Sequence, residues 1–186
     1  MTTSWESPSN IALIKYWGKR DTQLPSNPSI SFTLSKCKTT TEVHFSEGTG
    51  VNITLDGTDK PEFIPKIEGF LERIMHRHPW LSSYNLQIKT RNSFPHSSGI
   101  ASSASGMSAL SLCIVEFAQK IDFKFDALNF YQEASILSRL GSGSASRSIY
   151  GGLVVWGGTP TLENANDEYA IEYPHIIDPI FKNYCD

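Results

Sequence analysis

Several things this sequence has little of narrow the field. It has three cysteines, Cys37, Cys113 and Cys185, an odd number with no C-x-x-C spacing. That pattern writes neither a disulfide framework nor a zinc ribbon, and reduced thiols of a cytosolic protein are the expectation, with Cys113 in the core. Histidine is sparse and scattered, at His44, His76, His78, His96 and His175. His76 and His78 cannot share a helix face, so both are expected to be solvated and no zinc site is expected. Positive charge is not in excess: 16 Lys and Arg stand against 19 Asp and Glu, a net charge of -3. The broad basic field of a nucleic-acid binder is therefore missing, and any anion site must be local. No apolar run approaches the length of a membrane span, and Met1 to Glu6 has neither a basic n-region nor an apolar h-region. Neither a membrane span nor a signal peptide is expected, and the cytoplasm is the expected compartment.

What is there suits one compact domain. The 186 residues are 39% hydrophobic, and a chain of this length buries roughly 70% of its unfolded surface. Strand-like runs are read at Ile11–Ile14, Ser29–Leu34, Thr39–Phe45, Val51–Leu55, Tyr84–Thr90, Gly151–Trp156 and Tyr169–Tyr173. Between Glu62 and His78, apolar residues at Ile64, Ile67, Phe70, Leu71, Ile74 and Met75 recur at helical spacing until Pro79. A second helix carries Met107, Leu110, Ile114 and Phe117. A third has Asp126 as a plausible N-cap and a stripe of Leu128, Tyr131, Ala134 and Leu137, broken at Gly141. The fold class is α+β, a mixed sheet packed on about three helices. Pro174 to Asp186 reads as the start of a further element, with an apolar patch at Ile176, Ile177, Ile180 and Phe181.

Three segments concentrate residues that suit phosphate. The first, Phe94 to Gly106, joins a strand to a helix with small side chains and hydroxyls. Free N–H groups at a helix N-terminus favour negative charge, and the hydroxyls of Ser102 and Ser103 can bond phosphate or a metal held by it. It fits neither G-x-x-x-x-G-K-[ST] nor G-x-G-x-x-G, and a small-residue helix start that packs closely on a neighbour is the bland alternative. The second, Gly141 to Ser148, offers glycines, hydroxyls and Arg147, whose planar fork matches a carboxylate or phosphate. No G-x-S-x-G nucleophile elbow is present, and a helix C-cap running into a polar loop explains the segment equally well. The third, Lys15 to Arg20, packs three cations and two aromatics into six residues, an anion clamp or a solvated basic turn.

Together these segments resemble diphosphomevalonate decarboxylases (mevalonate pyrophosphate decarboxylases) of the GHMP kinase superfamily. Asn10-Ile11-Ala12-Leu13-Ile14-Lys15-Tyr16-Trp17-Gly18-Lys19-Arg20-Asp21 is similar to that family's N-terminal signature, and Leu24 to Ser31 continues it. Asn92 to Gly106 resembles its ATP loop. Gly141 to Ser148 with Tyr150-Gly151-Gly152 resembles its substrate segment, so four motifs stand in order over residues 7 to 157. The resemblance implies the family's N-terminal domain over residues 1–186, with a left-handed βαβ crossover, an exception to the usual hand. It implies ATP and Mg2+ as cofactors and mevalonate 5-diphosphate as substrate. The γ-phosphate would go to the tertiary 3-hydroxyl, and loss of phosphate and carbon dioxide would give isopentenyl diphosphate. Lys15 is implied at the reacting centre. Tyr16, Trp17, Gly18 and Lys19 are implied as substrate contacts, Lys19 meeting the diphosphate, and Lys66 as a further diphosphate ligand. Ser142, Gly143, Ser144, Ala145, Ser146 and Arg147 form the implied substrate cradle, with Arg147 on the carboxylate. Ser98, Gly99, Ile100, Ala101, Ser102 and Ser103 form the implied ATP loop, Ser103 also serving the metal. Ser146 stands where many relatives have Cys. The family's catalytic Asp, set in a glycine-containing loop of its C-terminal half, has no counterpart here, because Asp178 precedes Pro179 in the wrong context. The chain thus reads as an N-terminal portion, inactive alone, with the second family domain outside it. A sibling acting on mevalonate or its monophosphate, a non-catalytic diphosphate-binding module and a homodimeric assembly stay open.

Overall fold

A single strand organises the sheet. In the computed structural model, which describes residues 1–95, 100–121 and 129–175, β4 (Ser29–Glu47) runs as one 19-residue strand. It joins two runs that the sequence separates at Ser35 and Lys36, which are exposed and lie where the register of the neighbouring strand shifts. That neighbour, β1 (Thr2–Ile14), starts well before the Ile11 expected from sequence, because its polar first half is held by pairing to His44–Lys38 rather than by apolar alternation. The opposite edge of β4 takes β7 (Tyr84–Asn92) along Thr39–Glu47 and β8 (Leu153–Trp156) along Ser29–Phe32. Beyond β7 lie β5 (Gly50–Leu55), parallel to it, and β6 (Thr58–Asp59); beyond β8 lies β9 (Ala170–Glu172). A small hairpin of β2 (Lys19–Arg20) and β3 (Leu24–Pro25) stands apart from this seven-stranded mixed sheet.

Three α-helices among the described residues cover one side: α1 (Ile64–Ile74), α2 (Ser102–Ile121) and α3 (Phe130–Gly141). This is the α+β arrangement expected from sequence. In α1 the period-3.6 pattern buries Ile67, Phe70 and Ile74, and the helix makes the crossover between parallel β5 and β7. Helix α2 departs from a simple stripe. Ala104, Leu112 and Val115 are buried as well as Met107, Leu110, Ile114 and Phe117, because sheet and helices surround it. Cys113 is a core residue; burial pushes its thiol up to about 12, so it is inert at neutral pH. No helix among the described residues is long and apolar enough to cross a membrane.

Two expectations are overturned. His78 is 2% exposed rather than solvated: Nε2 meets the Glu133 carboxylate at 3.1 Å, and Trp80 Nε1 donates to Nδ1 at 3.3 Å. The short 3-10 turn that Pro79 starts brings Trp80 back onto the ring. Tyr131 is 48% exposed, and the buried stripe of α3 is instead Phe130, Ala134 and Leu137. Asp126, Leu128 and the apolar patch Ile176–Phe181 lie outside the described residues.

Candidate active site

Where β1 ends at Ile14, the chain leaves the sheet and residues 15–18 cross to the small hairpin. Lys15 and Lys19 are exposed, and Trp17 is 88% exposed. Tyr16 turns inward and sets its ring edge-on to Trp156, centroids 5.1 Å apart. Against both rings lies Arg147, its guanidinium carbon 5.7 Å from the Tyr16 centroid and 6.0 Å from that of Trp156. Contacts of this kind contribute about 0.5–2 kcal/mol each, more as water is excluded.

Arg147 comes from the 3-10 turn Gly143–Ile149 that follows α3. It is 2% exposed, Nη1 donates to Ser29 Oγ at 2.5 Å, and Nε has no partner. Ser29 Oγ in turn donates to the Trp156 carbonyl at 3.1 Å, which fixes the hydroxyl under the guanidinium. Burial drags the guanidinium down to about 10, against the pull of the nearby Tyr16 phenol. A buried cation with one neutral partner costs several kcal/mol unless an anion joins it. The fork has the shape for a carboxylate or phosphate, and no carboxylate is bonded to it among the described residues.

Gly143 carries Lys19 into the same site. A Cβ there would meet the Trp156 ring at 3.1 Å and Lys19 Cε at 3.3 Å, so the missing side chain is what lets the lysine stem lie over the turn. Ser142 and Ser144 are half-buried, whereas Ala145 and Ser146 point into the core, Ser146 Oγ donating to the Gly143 carbonyl at 3.0 Å. Asn10 ties the turn to β1, its Nδ2 donating to the Ser144 carbonyl at 3.1 Å and to Ser148 Oγ at 2.7 Å.

A separate cavity of 350 Å³ opens between α1, α2 and the sheet. Ile53, Leu55, Met107 and Leu110 make it apolar at one side, and Ser102, Ser103 and Lys66 bring hydroxyls and a cation to it. Thr39 Oγ1 donates to Asn92 Oδ1 at 2.7 Å and lies 2.6 Å from Ser105 Oγ, a polar floor beside the start of α2. Ala101 takes φ +45°, and Ser102 then begins the 20-residue helix, whose first N–H groups have no intrahelical acceptor. Of the proposed ATP loop, Ile100 accepts a hydrogen bond from Ser9 Oγ, and Ser98 and Gly99 lie outside the described residues. Among the described residues no group of three or more His, Cys, Asp or Glu is placed to hold a metal ion. The structure therefore brings Lys19, Gly143 and Arg147 together, but groups Lys66 with Ser102 and Ser103 instead.

The family model for the diphosphomevalonate decarboxylase-like N-terminal domain matches residues 7–167. The chain belongs to that family. Among its relatives in the diphosphomevalonate decarboxylase family, the enzyme of Gibberella zeae is 36% identical over 82% of this chain and 42% of its own length. That of Candida albicans is 36% identical over 92% of this chain and 49% of its own. The chain thus spans about half the length of the curated relatives it matches. Among solved structures, mevalonate diphosphate decarboxylase from Staphylococcus aureus superposes with a TM-score of 0.72 at 36% identity, covering 92% of this chain and 50% of that one. Another, MDDEF in complex with MVAPP, AMPPCP and magnesium, superposes with a TM-score of 0.74 at 31% identity, covering 93% and 50%. At these identities the likeness carries the fold of the diphosphomevalonate decarboxylase family as well as its sequence motifs.

Three residues of the site carry no chemical signal in the sequence. Ser29 reads as the first residue of a strand and, like Asn10, as part of a motif without an assigned role, and Trp156 as the last residue of a strand, yet they orient the guanidinium, tie its turn to β1 and wall it. Beyond the place of Ser29 in the Leu24–Ser31 motif, the alternation of β4, which turns Ser29 inward, is a second pointer to it.

Proposed function

We propose that this chain forms the ATP- and substrate-binding domain of an ATP-dependent decarboxylase that converts mevalonate 5-diphosphate to isopentenyl diphosphate. One observation carries the reading: Arg147 is a buried guanidinium with an open edge and no counter-anion among the described residues. A substrate with a carboxylate at one end and a diphosphate at the other suits Arg147 on the first and the long-stemmed, exposed Lys19 on the second. Lys15, at the head of the same loop, is assigned to the reacting centre, where its ammonium steadies negative charge on the 3-hydroxyl oxygen as it forms. Tyr16, Trp17, Gly18 and the turn Ser142–Ser146 shape the walls. Ser102 and Ser103 fit a polyphosphate through hydroxyls and helix N–H groups, and Ser103 fits a magnesium ion that the phosphates hold. Bound ATP would supply the phosphoryl group, with magnesium neutralising its charge. Lys66, beside these serines, adds positive charge where the phosphates of the two ligands meet.

Calorimetric titration with mevalonate 5-diphosphate and with ATP and magnesium tests this. Arg147→Ala weakens the first by about ten- to hundredfold, the range of a charge-assisted bidentate contact, and leaves the second within about twofold. Ser103→Ala does the reverse. Equal losses for both ligands in either variant would remove the assignment.

A further inference from the structure

We infer that Asn27 is a positioning residue that sets the conformation of the Lys15–Lys19 loop and thereby aims its cations at the anionic substrate. The inference rests on the substrate reading above. Residues 15–18 belong to no strand, so their backbone N–H and C=O groups need partners from elsewhere. Tyr16 is the residue of this segment that packs, on Trp156 and Arg147, while Trp17 is 88% exposed. The Asn27 side chain supplies two bonds, Trp17 N–H donating to Oδ1 at 2.6 Å and Nδ2 donating to the Lys15 carbonyl at 3.2 Å, and Ser26 N–H adds a third by donating to the Gly18 carbonyl at 3.1 Å. A second Nδ2 hydrogen reaches the Pro28 carbonyl at 2.8 Å. The amide orientation is determined by chemistry, because Trp17 N–H can only donate and the two carbonyls can only accept. One side chain thus grips the backbone on both sides of Tyr16, the ring that packs on Arg147 and Trp156.

The grip is anchored from behind. A residue before proline is restricted to extended backbone, which limits Asn27 itself. Pro28 lies hard against Gly157, where a Cβ would come within 2.6 Å of Pro28 Cα and where φ is +111°. Ser29, next in the chain, is the hydroxyl under Arg147. Asn27, Pro28 and Ser29 therefore serve the loop with Lys15 and Lys19 and the buried guanidinium from one short rigid segment. Neither aspartate nor alanine can replace the amide: aspartate keeps the acceptor but sets an oxygen against two carbonyls, and alanine keeps nothing.

The test combines amide hydrogen exchange by NMR with titration of mevalonate 5-diphosphate and of ATP with magnesium, on the chain and its Asn27→Ala and Asn27→Asp variants. In Asn27→Ala the Trp17 amide loses protection and affinity for mevalonate 5-diphosphate falls about tenfold, the scale of lost hydrogen bonds to an ordered loop. ATP affinity and Tm stay near those of the parent. Asn27→Asp retains protection at Trp17 but still loses substrate affinity. Unchanged Trp17 protection in Asn27→Ala overturns the clamp, and lost protection with full affinity overturns its positioning role. If the parent chain binds no mevalonate 5-diphosphate, the substrate reading falls, while the Trp17 amide still decides whether Asn27 holds the loop.

Discussion

Arg139 and Arg147 stand close together in sequence and are equally hidden, 3% and 2% exposed, yet the protein treats them differently. Arg139, near the end of α3, spends its whole fork. Nε donates to the Glu168 carbonyl at 2.8 Å, Nη2 to the Glu168 carboxylate at 2.9 Å, and Nη1 to the Thr22 carbonyl. Burial lowers its pKa, and the Glu168 charge works against that. It staples the β8–β9 connection to the hairpin that starts at Lys19. Arg147 has a neutral hydroxyl on one nitrogen and an unpartnered Nε. Equal burial therefore means opposite things: a saturated fork holds the fold together, and an unsaturated one is a standing cost that a ligand relieves.

The comparison can be broken by mutation. The largest effect is expected at Arg139→Ala, which strips partners from two loops and costs about 3 kcal/mol, within the range for breaking buried charged contacts. In a chain of this size that lowers Tm by roughly 6–12 °C, read by calorimetry. Arg147→Met should do the opposite to the fold. An apolar chain between the Tyr16 and Trp156 rings removes the uncompensated charge, and Tm holds or rises by roughly 2–4 °C, about 1 kcal/mol. Binding of mevalonate 5-diphosphate is lost at the same time. A fall in Tm as large as that of Arg139→Ala would show that the two arginines play the same structural part.

A third arginine sharpens the contrast through pH. Burial pushes the Glu133 carboxyl up, but hydrogen bonds from Arg77 and His78 outweigh it and hold it down, from the ordinary 4.5 to about 2. A carboxyl whose folded pKa is depressed contributes stability above its unfolded pKa and loses it as pH falls through the folded one. Denaturant unfolding from pH 7 downward should thus show a loss on the order of 2 kcal/mol between about pH 5 and pH 2. Glu133→Gln should flatten that slope. The smallest effect belongs to Glu6→Gln, which cuts the exposed 2.8 Å pair with Lys38 and should shift stability by no more than about 0.5 kcal/mol.

Much of the fold and the site is legible in the residues themselves. The apolar period of α1 is a local property, so Ile67, Phe70 and Ile74 name its buried face directly. The hydroxyls, glycines and cations of the four motifs suit an anion by residue type, and a polar loop or a solvated turn as well. Partners far along the chain are not legible in this way. His78 looks like a surface residue until α3 brings Glu133 to it, and Lys66 looks like a companion of Lys19 until α1 sets it beside Ser102 and Ser103. Residue type and local periodicity determine which groups can bind an anion and on which elements they ride. Whether a guanidinium is saturated or left open depends on which distant backbone atoms surround it, and only the packing of β4, α3 and the β8–β9 connection decided that for Arg139 and Arg147.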